Sequence, residues 1–220
     1  ALFGGKRELY HANPNLTNIC MSNPAVRSKM VEFIANYAEK HENVDYLHVW
    51  LADGSRNHCE CENCIKKTPT DWYMTIMNEL DEELTARKLD TRIVFIAYVD
   101  TLWGPQEVTI KNPDRFSLLY APISRSYLSS ITEDSVIPEA PAFELNNWEA
   151  PKNAEEALGL LNTWKKTWKG PIFCYEYHFW RHQYADLGGY EMAKRIHQDV
   201  RGLKFMGVDG IVEDGSQRSG

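Results

Sequence analysis

Short apolar runs alternate along this chain with amphipathic stretches of more than a dozen residues, and that alternation restricts the fold more than any other feature. "YLHVWLAD", "RIVFIAYVD", "RFSLLYAP", "IFCYEYHFW" and "GVDGIVEDG" read as strands, and "LTNICM" brings the expected total to about six. A first helix is expected from Asn23 as N-cap and Pro24 at N1, with Val26, Met30, Ile34, Tyr37 and Ala38 on one face. A second starts near Thr70 with Trp72, Ile76, Leu80 and Leu84 in a stripe. A third aligns Ala157, Leu161, Trp164 and Trp168 and stops at Gly170-Pro171, and a fourth uses Met192, Ile196, Val200 and Leu203. Residues 123–150 lack a clean period and read as a long loop.

Strands joined through helices imply parallel, right-handed crossovers. Two layouts satisfy this, an open doubly wound sheet and a (β/α) barrel. No glycine-rich phosphate loop follows any strand, which disfavours a nucleotide site. The expectation is therefore an α/β fold, a parallel (β/α) TIM-type barrel present in part, with about six of its eight strands. Residues 1–220 are read as one barrel-like domain, a fragment of a longer chain whose N-terminal barrel units or domain lie outside it.

In parallel α/β folds the chemistry gathers at the C-terminal ends of strands. Here those ends carry Asp53, Tyr98 and Asp100, Glu176 and His178, and Glu213-Asp214. Alternation places Glu176 and His178 on one face and Tyr175 and Tyr177 on the other. Paired carboxylates across a sugar-sized gap are the minimum equipment for glycosidic cleavage, one protonating the leaving oxygen and one acting as base or nucleophile. The chain is accordingly expected to be a glycoside hydrolase domain, with Asp53 and Glu176 as acid/base pair and Glu213 as orienting or alternative carboxylate. Trp50, Tyr98, Asp100, Tyr177, His178 and Trp180 would bind sugar hydroxyls and ring faces, while Trp72, Trp164 and Trp168 belong to helical stripes and the core. The plain alternative for each acid is a helix cap or a solvated strand end. The rival function is a non-catalytic carbohydrate-binding module on a partial barrel.

"HCECENC" at 58–64 follows Asp53 closely. Cys59, Cys61 and Cys64 could share one structural zinc with Cys20 or His58 as fourth ligand, could form disulfides, or could remain reduced thiols. With Cys174 the cysteines number five, so disulfides alone would leave one over. A catalytic zinc at this cluster is a weaker third reading, and the expected hydrolysis itself needs no cofactor. The formal charge of −7 argues against a nucleic-acid partner. No apolar run approaches the ~20 residues of a membrane span. Seven Trp, eleven Tyr and eight Phe suit either a large core or stacking on sugar rings, and composition does not choose between them. The hydrolase reading makes a glycan the expected partner.

The ordered segments "GKR", "ICMSNPAVR", "WLADGSRNHCECENC", "IAYVD" and "GVDGIVEDG" resemble, over essentially the whole chain, the family catalogued as domain of unknown function 4838. That family is common in glycan-degrading gut-type bacteria and includes members assigned to glycoside hydrolase family 163. The resemblance implies a TIM-barrel catalytic region preceded by a small α/β domain, and an extracellular or periplasmic address. By position, Asp53 matches the family's Asp-Gly, Cys20 its C-x-S-N-P cysteine, Cys59, Cys61 and Cys64 its cysteine cluster, and Glu213 its terminal acidic segment. Ala52 stands where the family shows a polar residue, and Glu213-Asp214 reverses the Asp-Glu order of substrate-assisted hexosaminidases.

Overall fold

A computed structural model describes residues 1–180, 186 and 188–215. A small antiparallel ribbon, β1 (Leu2–Phe3) and β2 (Lys6–Arg7), opens the chain. Then follow α1 (Pro24–Lys40), β3 (Tyr46–His48), α2 (Pro69–Ala86), β4 (Arg92–Tyr98), β5 (Phe116–Ala121), α3 (Ala154–Thr167), β6 (Ile172–Glu176), α4 (Tyr190–Phe205) and β7 (Gly210–Glu213). β3 to β7 form one parallel sheet in sequential order. A doubly wound sheet would reverse its strand order at a switch point, and this one does not. The result is an α/β half-barrel, consistent with part of a TIM-type barrel.

The helices begin where the chain supplies caps. Asn23 Oδ1 accepts the Ala25 N–H at 3.0 Å ahead of Pro24, Thr68 Oγ1 accepts the Asp71 N–H at 3.1 Å, and Asn153 Oδ1 accepts the Glu156 N–H at 2.8 Å. Glu155 and Glu156 in the first turn of α3, with Lys165 and Lys166 in its last, complement the helix dipole.

Helices α1 to α4 contribute to one large core against the convex face of the sheet, built from Ile76, Leu80, Phe95, Leu118, Leu161, Trp164 and Leu203 among others. The opposite, concave face carries a smaller cluster of Val94, Ile96, Leu119 and Ala121, bordered by Tyr98, Tyr175 and Tyr177. The β4–β5 crossover lacks an α-helix, and buried side chains of α2 hold it instead. Asp71 Oδ1 accepts the N–H groups of Gln106, Glu107 and Val108 at 2.8–3.0 Å, and Asn78 bonds Thr109 O and Lys111 N. Residues 123–150 form the expected long loop, without helix or strand.

Three sequence expectations change, the first being the inward face of α1, whose buried positions are Val31, Ala35 and Ala38 while Tyr37 is exposed. "LTNICM" is not a strand, so among the described residues the parallel sheet has five strands rather than about six. The Asn18 amide accepts from Ala52 N–H and donates to Asn57 Oδ1, while Cys20 joins the other sulfurs, so side chains rather than ladder bonds anchor this segment. On α4 the inward positions are Met192, Asp199, Gly202 and Leu203, and Val200 is 43% exposed. A buried acid takes the inward place because an arginine waits for it. Gly202 meanwhile meets the Ile131 backbone too closely for any Cβ to fit.

Candidate functional site

At the C-terminal ends of the strands a cavity of about 320 Å³ opens on the concave face, lined by Trp50, Leu51, Asp53, Ile96, Tyr98, Tyr175 and Tyr177. Its apolar floor and aromatic walls with few polar groups fit a small-molecule or sugar-ring site. Trp50 is 46% exposed and packs edge-on to His48 at 5.4 Å, Tyr175 and Tyr177 lie 5.0 Å apart, and Trp180 stands 6.0 Å from Tyr177. Asp53 is exposed, with its Oδ1 bonded to the Gly54 N–H. Burial, then the charge and hydrogen bond of Asp53, push the Tyr98 phenol up to about 12, so Tyr98 stays a proton donor to that carboxylate at neutral pH.

Tyr98 reaches the pocket through a strained exit from β4. The next residue, Val99, is held at φ 44°, a left-handed conformation that a β-branched residue rarely adopts. Asp100 then turns inward and is fully buried. Its Oδ2 accepts the Arg56 N–H at 2.8 Å, its Oδ1 has no partner among the described residues, and burial raises its carboxyl above the ordinary value. It anchors the loop after Asp53 and does not line the cavity.

The structure does not bring Glu176 to Asp53. Alternation along β6 sends Tyr175 to the pocket and Glu176 to the convex side, where it is wholly buried. Glu176 Oε2 accepts from Arg125 at 3.0 Å and from Tyr127 OH at 2.7 Å. The same Arg125 reaches Asp199 Oδ2 at 2.6 Å, and His178 closes the network, with Nε2 2.8 Å from Asp199 and Nδ1 3.0 Å from Glu213. Burial alone would lower the His178 pKa, but its hydrogen bonds to Asp199 and Glu213 raise it to about 9. Glu176, His178 and Glu213 thus meet one another in an ion network behind the pocket wall. Tyr127 extends the network to the wall by accepting the Tyr177 N–H at 2.7 Å.

Below the Asp53 loop, the sulfurs of Cys20, Cys59, Cys61 and Cys64 all lie within 4.8 Å of one another. Cys20 is 3.7 Å from Cys61 and 3.8 Å from Cys64. Four sulfurs at ~2.3 Å around a tetrahedral ion stand ~3.8 Å apart, whereas a disulfide needs ~2.05 Å. This cluster can hold a structural metal ion such as zinc. Around it the Leu2 N–H donates to Cys59 Sγ, and Ser22 Oγ lies 3.1 Å from Cys64 Sγ. Cys20, not His58, completes the set. His58 is desolvated, its pKa lowered by burial to about 4, and its backbone N–H donates to Asn146 Oδ1.

One buried amide joins cluster and pocket. Asn57 Nδ2 donates to Leu16 O and Asp53 O, and its Oδ1 accepts from Asn18 Nδ2. The loop between Asp53 and Cys59 is therefore fixed at both ends.

Sequence reasoning missed Arg125, Tyr127 and Asp199, whose roles depend on a loop and a helix face that no local pattern marks. It also passed over Tyr175 and Asp214. Alternation along the last two strands assigns both to the face of Tyr177, and Tyr175 OH lies 3.1 Å from Asp214 Oδ1.

No curated protein and no solved structure matches the chain. One family model does. Its match takes in the ribbon, the cysteine cluster, Asp53 and Tyr98 and ends within α3, short of β6 and β7. The chain belongs to the family described as Domain of unknown function (DUF4838), whose model matches residues 1–157.

Proposed function

We propose that the chain provides a carbohydrate-active site of the glycoside hydrolase type on the concave face, with kinship to glycoside hydrolase family 163. The observation that carries this reading is the convergence of Asp53 with Trp50, Tyr98, Tyr175 and Tyr177 in one cavity at the strand ends. Sugar rings present apolar faces that stack on such aromatics, and their hydroxyls pair with a carboxylate and phenols. Asp53 is the acid/base group, and Trp50, Tyr98, Tyr177 and Trp180 bind the sugar. Zinc held by Cys20, Cys59, Cys61 and Cys64 would act as a clamp. Four cysteine ligands leave it no open position for substrate, so catalysis falls to the carboxylates. Thiolates tied to zinc also resist oxidation in the extracellular or periplasmic space where this reading places the protein.

A second reading, a non-catalytic carbohydrate-binding module, draws on the engagement of Glu176 and Glu213 with Arg125 and His178. Titrating a glycan panel against tryptophan fluorescence, in wild type and Trp50→Ala, tests the shared claim of a sugar site. Saturable quenching lost in Trp50→Ala is expected, and no response to any glycan would overturn both readings. Turnover of a bound glycan separates the hydrolase from the module.

A further inference from the structure

We propose that Asp214, bonded to Tyr175 of the cavity wall, is the second catalytic carboxylate, acting opposite Asp53 on the glycosidic bond. This rests on the reading of the pocket as a hydrolase site and goes beyond it by naming the partner acid.

Register carries the assignment. Tyr175 pairs with Val212 and Glu176 with Glu213, and the Asp214 N–H continues the ladder to Glu176 O at 2.8 Å. Asp214 therefore leaves β7 on the side of Tyr175 and Tyr177, while Glu213 leaves on the side of His178. The hydroxyl of Tyr175, a residue of the cavity wall, lies 3.1 Å from Asp214 Oδ1. Of the acids at the ends of β6 and β7, Glu176 and Glu213 are bonded to Arg125 and His178, and Asp214 is the one that meets a pocket residue.

Position in the sheet supplies the rest. Asp53 follows β3 and Asp214 follows β7, the two edges of the parallel sheet. Curvature of a half-barrel turns its edges toward one another across the concave face. The tyrosines between them form a continuous row. Tyr98 is bonded to Asp53, and burial, with the nearby Asp214 carboxylate adding to it, raises the Tyr177 phenol above its ordinary value. The row places donors beneath a sugar ring and a carboxylate at each end.

The chemistry needs only water. One carboxyl group donates its proton to the leaving glycosidic oxygen as the C1–O bond breaks. The other, ionised, either takes a proton from the water that attacks C1 or attacks C1 itself, forming an ester that water then hydrolyses. In the first course the base then releases its proton to solvent and the acid regains one from it, and in the second the acid is reprotonated by the hydrolysing water, so both groups return to their starting states.

The test compares Asp214→Asn, Asp214→Glu and Asp53→Asn on nitrophenyl glycosides and on glycan mixtures, with sugar affinity read from tryptophan fluorescence. Asp214→Asn is expected to lose about 10²- to 10⁴-fold in turnover while keeping affinity and melting temperature. Added azide is expected to restore part of the rate if Asp214 is the nucleophile, and Asp214→Glu to retain part of it. Asp214→Asn turning over at the wild-type rate while Asp53→Asn is inactive would overturn this inference and leave the hydrolase reading standing. Wild type inert on every glycoside, or both amides fully active, would overturn the hydrolase reading as well.

Discussion

Arg125 Nη2 sits 3.0 Å from Glu176 Oε2, and both side chains are shut off from solvent. The same nitrogen lies 2.6 Å from Asp199, so one guanidinium neutralises two buried acids from β6 and α4. Removing the cation leaves Glu176 uncompensated in a low-dielectric interior and Asp199 with His178 as its remaining cationic partner. Arg125→Met is expected to lower unfolding stability by about 3–5 kcal/mol in urea titrations. A change below about 0.5 kcal/mol would show that the network does not hold α4 to the sheet.

His178 gives the network a pH signature. Its folded pKa, about 9, lies above the ordinary 6.5, so the folded state holds its proton more tightly than the unfolded chain. The sign follows: this stabilisation is complete below pH 6.5, declines as pH rises, and is gone above pH 9. A loss on the order of 3 kcal/mol between those limits is expected, and His178→Gln is expected to flatten that window. Wild type and His178→Gln with parallel stability profiles would contradict the pairing.

The sulfur cluster predicts metal content. Purified protein is expected to carry one zinc ion per chain by elemental analysis, released when the thiols are modified. Cys64→Ser is expected to lose the metal and lower the melting temperature, and a strong chelator to do the same in wild type. Metal-free protein with disulfides among Cys20, Cys59, Cys61 and Cys64 by mass spectrometry would contradict the site.

Asn57 links that cluster to the pocket. Asn57→Ala strands the carbonyls of Leu16 and Asp53, and is expected to cost about 1–3 kcal/mol. It should also weaken glycan binding, because the Asp53 backbone loses its anchor, while zinc content stays unchanged. Unaltered affinity would show that the loop holds Asp53 without this amide.

Much of the fold is legible in local chemistry. Asn23-Pro24 announces α1, and the aliphatic run "RIVFIAY" is the central strand it reads as. Alternation also separates Glu176 from Tyr175 and Tyr177. What alternation lacks is the hand of the sheet: it does not say which face is concave, so it grouped Glu176 with the pocket. Asp199 was hidden for a related reason. Apolar periodicity assigns Val200 to the core, and only Arg125, far away in sequence, makes a buried acid the better occupant. Cys20 joined its cluster correctly, but reading its segment as a strand overlooked how fully Asn18 was committed to Ala52 and Asn57.

The most direct test of the account is the turnover of glycosides by wild type and Asp53→Asn, measured beside their sugar affinity and melting temperature. The amide is expected to lose about 10²- to 10⁴-fold in rate with affinity and stability kept. Wild-type rates in Asp53→Asn would contradict it.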